Sequence, residues 1–144
     1  MAQILISTMV SGMCLNQKRK DTDMILRRQG YYSEMLHAEK SDPSMKDSIG
    51  GKIEFKKEIC EYLQKGFVLA ACGEVSTDVL HPENGIIGTP DDVTDGKYIW
   101  PGDLAYYVMK YDLQLSKEFV EHMISQKWSV PDNIEIDFDN LEVI

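Results

Sequence analysis

The clearest helical period along the chain falls on residues 54–65, E-F-K-K-E-I-C-E-Y-L-Q-K, where Phe55, Ile59, Tyr62 and Leu63 make one apolar stripe. Gly66 follows at the place of a C-cap, so a helix is predicted to end there. Phe67 to Cys72 is continuously apolar between Gly66 and Gly73, which by length and flanks predicts a buried strand. His81-Pro82-Glu83-Asn84-Gly85 carries turn chemistry, and short strands are predicted at Gly85–Gly88 and Tyr98–Trp100. Between them lies an acidic turn, residues 90–96, closed by Asp95-Gly96.

A helix pair should follow. Pro101 presets φ for a helix start, Asp103 suits its first turn, and Leu104, Tyr107, Val108 and Tyr111 recur at i, i+3, i+4 and i+7. Ser116 can N-cap the second helix, with Phe119, Val120, Met123 and Ile124 turned inward. After Pro131, the run Asn133–Ile144, N-I-E-I-D-F-D-N-L-E-V-I, alternates apolar and acidic residues with period two over Ile134, Ile136 and Phe138, the pattern of an edge strand with acids outside.

The first third is less periodic. Residues 1–13 read as a strand or a flexible lead-in, a flexible stretch extending to residue 20, and D-T-D-M-I-L-R-R-Q-G from Asp21 has the charge order of a short helix closed by Gly30. Tyr31 to Asp47 is polar and broken by Asp42-Pro43, so a surface loop is expected over residues 39–50, preceded by a turn of helix at Ser33–Ala38.

At 144 residues and 43% apolar content, the chain fits one domain, residues 1–144, with a real core. No apolar run approaches the roughly 20 residues of a membrane helix. The apolar start lacks a preceding positive charge, which argues against an export signal. Three cysteines, Cys14, Cys60 and Cys72, stand without C-x-x-C spacing and suit free thiols in a reducing cytoplasm.

Charge divides the chain. Residues 1–66 hold eleven Lys or Arg against nine Asp or Glu, whereas residues 67–144 hold four against fifteen, net −11. An acidic second half repels nucleic acid and membrane headgroups and attracts a basic protein surface.

Candidate chemistry is sparse. His37, His81 and His122 lie on separate elements, and Asp91, Asp92 and Asp95 lack the spacing and closing Glu of a calcium loop. No nucleophile elbow, P-loop or dinucleotide fingerprint occurs, and the bases Lys18, Arg19, Lys20, Arg27 and Arg28 are diluted by Asp21 and Asp23. Neither a cofactor nor a metal is expected. Residues Thr94–Trp128 hold two Trp, four Tyr and one Phe, which read mainly as core anchors, with Trp128 a candidate contact.

The block T-D-G-K-Y-I-W-P-G-D-L-A-Y-Y-V, then L-S-K-E-F-V-E-H-M, resembles a pattern of small, mostly uncharacterised bacterial proteins. Upstream, E-Y-L-Q-K-G-F-V-L-A-A and D-V-L-H-P-E-N-G-I-I-G extend the resemblance over roughly residues 50–130. Such proteins are similar in turn to the immunity proteins of polymorphic and contact-dependent toxin systems. The resemblance implies a single acidic cytoplasmic domain and no catalytic residue.

The sequence therefore predicts one α+β domain, a small, mainly antiparallel sheet covered by three or four helices. The expected function is a cytoplasmic binding protein that neutralises a toxin domain by covering its basic active-site surface. The expected contact residues are Asp91, Asp92, Asp95, Glu118, Glu121, Trp128, Glu135, Asp137 and Asp139. A small hydrolase-like enzyme using Asp or Glu with His81 or His122 is the alternative, and a structural or regulatory homo-oligomer, such as a homodimer, is the third reading.

Overall fold

A computed structural model describes residues 24–144. The expectations for residues 1–20, including Cys14 and the Lys18–Lys20 cluster, lie outside the described residues.

The periodic helices form where the pattern puts them. Helix α1 spans Lys56–Gln64, α2 spans Leu104–Tyr111, and α3 spans Lys117–Ser125. Ser116 caps α3, its hydroxyl accepting the Phe119 N–H at 3.2 Å. Among the described residues, seven strands make two sheets. Strands β1 (Met24–Arg28), β2 (Phe67–Ala70), β5 (Asp92–Thr94), β6 (Tyr98–Pro101) and β7 (Leu141–Val143) form a mixed sheet in the order β2-β5-β6-β1-β7. A separate antiparallel ribbon pairs β3 (Ser76–Thr77) with β4 (Ile86–Gly88). The architecture is α+β, as predicted.

Several local expectations change. The Asp21–Gly30 segment is not a helix where described: Met24–Arg28 is a strand near the middle of the sheet, parallel to both β6 and β7. Its two partners lie far along the chain, and their hydrogen bonds outweigh a charge order that would stabilise a helix by only about 0.3–1 kcal/mol per charge. The acidic turn contains strand β5, and Ser33–Ala38 forms turns rather than a helical turn. The alternating run after Pro131 pairs at its end, where Leu141–Val143 is an edge strand, while residues 133–137 stay irregular and Phe138–Asn140 is a 3-10 turn. The 39–50 loop holds one short 3-10 turn, Met45–Ser48.

Strand β6 divides two cores by alternation. Tyr98 and Trp100 face the helices, whereas Ile99 joins Leu26, Leu69, Leu141 and Tyr31 on the other side. Trp100 is fully buried and its indole N–H donates to the Leu63 carbonyl at 3.1 Å, tying the sheet to α1. Gly66 is needed for that approach. A Cβ there would lie 2.6 Å from Trp100 Cζ2 and 2.2 Å from Val93 Cγ1. Phe55 departs from the predicted core stripe, half-exposed with its ring 5.5 Å from that of Trp128.

Candidate functional site

The expected acidic contact face separates into buried and exposed acids. Asp92 is 4% exposed and accepts the Tyr31 hydroxyl at 2.7 Å. Asp95 is 5% exposed and accepts from the Tyr62 hydroxyl at 2.5 Å and the backbone N–H of Lys97 and Tyr98 at 2.9 and 2.8 Å, with His122 Nε2 at 3.0 Å. These two residues are therefore removed from the contact set, because their carboxylates are spent inside the fold. His122, a histidine of the enzyme alternative, is drawn into the same buried network, and the His81 side chain sits exposed beside Glu83.

The rest remain accessible to differing degrees. Asp91 is half-buried, accepting the Cys72 N–H at 3.1 Å and the Thr89 hydroxyl at 3.0 Å. Glu118 and Glu121 are exposed on α3, and Glu135, Asp137 and Asp139 are exposed beyond it. Trp128 is half-buried against Phe55. These segments approach one another around the β5–β6 turn: Glu118 acts electrostatically on Tyr98, and Ile134 lies beside Gly96. Residues 112–144 carry eight acids against Lys117 and Lys127, and Lys117 is already within 3.8 Å of Glu121.

Two constellations have no counterpart in the sequence reading. Asp78, fully buried, collects the N–H groups of Leu80 and His81 and the Asn84 amide at 2.9 Å each, the Tyr106 hydroxyl at 2.8 Å, and the Tyr111 hydroxyl. Burial opposes its charge, but the donors, Tyr111 and Asn84 foremost, outweigh it and hold the carboxyl well below the usual range. The D-V-L-H-P-E-N-G turn is thereby fastened to α2.

The second is a cavity of about 220 Å³ between the His37 turn, β3 and the β6–α2 junction. Its walls are mostly apolar, with Met35, Leu36, Val75, Val79, Pro90 and Pro101, and its polar lining includes Tyr31, Glu34, His37, Ser76 and Asp103. Both ring nitrogens of His37, the Ser76 hydroxyl and Asp103 Oδ1 are buried without a well-formed hydrogen bond. Among the described residues, all the buried side-chain atoms left in this condition belong to this one cavity. Asp103 stands at the N-cap position of α2 without bonding its backbone donors through its side chain. Burial pushes its carboxyl up to about 6, opposed in part by Ser76 and by the charge of His37. Convergent polar groups in an apolar recess, with a perturbed acid among them, have the composition of a small-ligand site.

Histidine 37 also borders a second cluster. His37, Cys72 and Glu74 each present a ligand atom within 4.8 Å of the others, a set able to hold a cation. Cys72 is half-buried, and its thiol is pushed up by burial and by the carboxylates of Asp91 and Glu74, so it lacks the surroundings of an activated nucleophile. Cys60 is buried and likewise raised. Among the described residues no helix is long and apolar enough to cross a membrane. No family model, curated protein or solved structure matches the chain.

Proposed function

We propose that the chain is a binding protein that neutralises a toxin domain by laying an acidic ridge over its basic active-site surface. The observation that carries this reading is the sorting of the acids. Asp78, Asp92 and Asp95 are engaged by internal donors, whereas Glu118, Glu121, Glu135, Asp137 and Asp139 stand exposed on segments that meet around the β5–β6 turn. Exposed charge of one sign accelerates encounter with a basic partner and is weakened by salt. Half-buried Trp128, after the C-terminal end of α3 and against Phe55, would supply apolar contact. The resemblance to immunity proteins points the same way, as does a cytoplasmic setting for a chain whose cysteines Cys60 and Cys72 are free.

The reading expects a toxin gene directly beside the one for this chain, and the test uses the product of that gene. Binding should slow as salt rises, and the combined charge reversals Glu118→Lys, Glu121→Lys and Asp137→Lys should reduce the association rate about tenfold or more. Equal association rates for the parent and the triple variant would overturn the reading.

One observation favours a second reading. The 220 Å³ cavity gathers Asp103 and His37 in an apolar recess, the arrangement expected of a small-ligand or acid–base site, with His37 replacing the histidines named from sequence. A ligand screen by thermal shift, with Asp103→Asn as the comparison, separates the two: the acidic ridge would be indifferent to that substitution.

A further inference from the structure

We propose that His37, Cys72 and Glu74 form a binding site for a thiophilic divalent cation, zinc above all. The three donors come from two loops. His37 lies in the turns after β1, and Cys72-Gly73-Glu74 lies between β2 and β3. Gly73 has φ +68°, a left-handed conformation that lets the residues on either side direct their side chains to one place.

The distances are those of a site near closure. All three donor atoms lie within 4.8 Å of one another, with His37 Nε2 3.8 Å from Glu74 Oε2. A point within about 2.8 Å of all three must then exist, so closing by about half an ångström or a little more per ligand reaches zinc bond lengths of about 2.0–2.3 Å. Rotation of the Glu74 and half-buried Cys72 side chains on their loop, with a small shift of the His37 turn, supplies movements of that size.

The imidazole is the independent sign. Its side chain is only 8% exposed, yet neither ring nitrogen makes a hydrogen bond. A buried imidazole without partners is costly, and bonding to a metal through one nitrogen resolves half of that cost. The carboxylate of Glu74 at 3.8 Å is too far for a hydrogen bond, though it is well placed to share a cation.

Donor chemistry selects the ion. A thiolate with an imidazole and a carboxylate suits zinc, whereas magnesium and calcium prefer oxygen alone. On binding, the Cys72 S–H bond gives way to an S–metal bond and the proton passes to the buffer. Asp91 Oδ1, 3.6 Å from Cys72 Sγ and already accepting the Cys72 N–H, is placed as an outer partner that orients the sulfur. Three protein ligands leave one coordination position for water or a ligand group. This proposal does not depend on the acidic ridge, which lies on other elements.

The experiment is a titration of the metal-stripped full chain with Co²⁺ and then with Zn²⁺ against a chromophoric chelator. We expect one equivalent bound, a thiolate-to-cobalt charge-transfer band, and its displacement by Zn²⁺. Cys72→Ser should abolish the band, and His37→Gln and Glu74→Gln should each weaken Zn²⁺ binding by at least about tenfold to a hundredfold, the scale on which even outer partners act. His81→Gln, at an exposed histidine paired with Glu83, should leave binding unchanged. Cys72→Ser and Glu74→Gln alter side chains at half-buried and exposed positions, and circular dichroism of each confirms the fold before titration. Absence of the thiolate band in the parent chain, its survival in Cys72→Ser, or Zn²⁺ affinity unaffected by both His37→Gln and Glu74→Gln overturns the proposal.

Discussion

Asp78 and Asp103 are both buried aspartates attached to helix α2, and they live under opposite conditions. Asp78 is 0% exposed and meets two backbone N–H groups, an amide and two tyrosine hydroxyls, while Asp103 is 6% exposed and leaves Oδ1 without a partner. The carboxyl of the first is held below the ordinary range, and that of the second is pushed up to about 6. Burial is common to both. Donors make the difference, and they separate an acid that fastens the fold from one that the fold tolerates next to a cavity.

The largest effect should come from Asp78→Ala. Removing the acceptor strands donors from the 78–84 turn and two tyrosine hydroxyls, a loss of about 2–4 kcal/mol once partial hydration of the turn is allowed for. Urea unfolding at pH 7 measures it, and a loss under about 1 kcal/mol would break the contrast. The sign of the pH dependence follows from the lowered carboxyl. Its contribution is complete above the unfolded value near 4 and declines as pH falls through the folded one, so parent and variant should converge in strong acid.

Little of this contrast was legible in the sequence. Tyr106 and Tyr111 read correctly as members of one aromatic helix, yet their shared partner lies 28 and 33 residues earlier, in a turn whose Pro, Asn and Gly account for its shape alone. Helices α1, α2 and α3 were legible because each carries several apolar positions at helical spacing, and tertiary packing reinforces that pattern. Strand β1 was not, since five residues cannot reveal partners at residues 98–99 and 141–143. Asp92 and Asp95 looked like an exposed acidic turn because no local feature names Tyr31 and Tyr62, 61 and 33 residues away, as their donors. The cavity is harder still. It is defined by what His37, Ser76 and Asp103 lack, and a missing partner leaves no trace in a residue string.

Asp103→Asn should act in the opposite direction. A carboxyl whose folded pKa is raised lets the native state hold its proton longer, so parent stability falls as pH rises from about 4 to about 6 and then levels. The amide carries no charge to bury and still suits a helix N-cap. The variant should therefore equal the parent near pH 4 and exceed it by about 1–2 kcal/mol at pH 8, a gain discounted for water reaching the cavity. Thermal melts at both pH values give the answer, and a variant less stable at pH 8 would show that Asp103 is held by partners as Asp78 is.

The smallest effect is the most discriminating, because its sign runs against the usual outcome of substitution. Deleting a hydroxyl that makes a good hydrogen bond costs about 0.5–1.5 kcal/mol, but Ser76 Oγ is buried with no well-formed bond and lies near a carboxyl that is itself short of donors. If the cavity is a place where the fold tolerates unsatisfied polar groups, Ser76→Ala removes a desolvated hydroxyl and should be neutral or stabilising by about 0.5 kcal/mol. The same change withdraws the group that opposes the upward push on Asp103, so the fall in stability, which begins near pH 4 in both chains, should continue to a higher pH than in the parent. Both readouts come from one melt series across pH. A clear destabilisation with an unmoved pH profile would mean that Ser76 is satisfied in solution by a partner of its own, and the cavity would then join Asp78 as part of the scaffold.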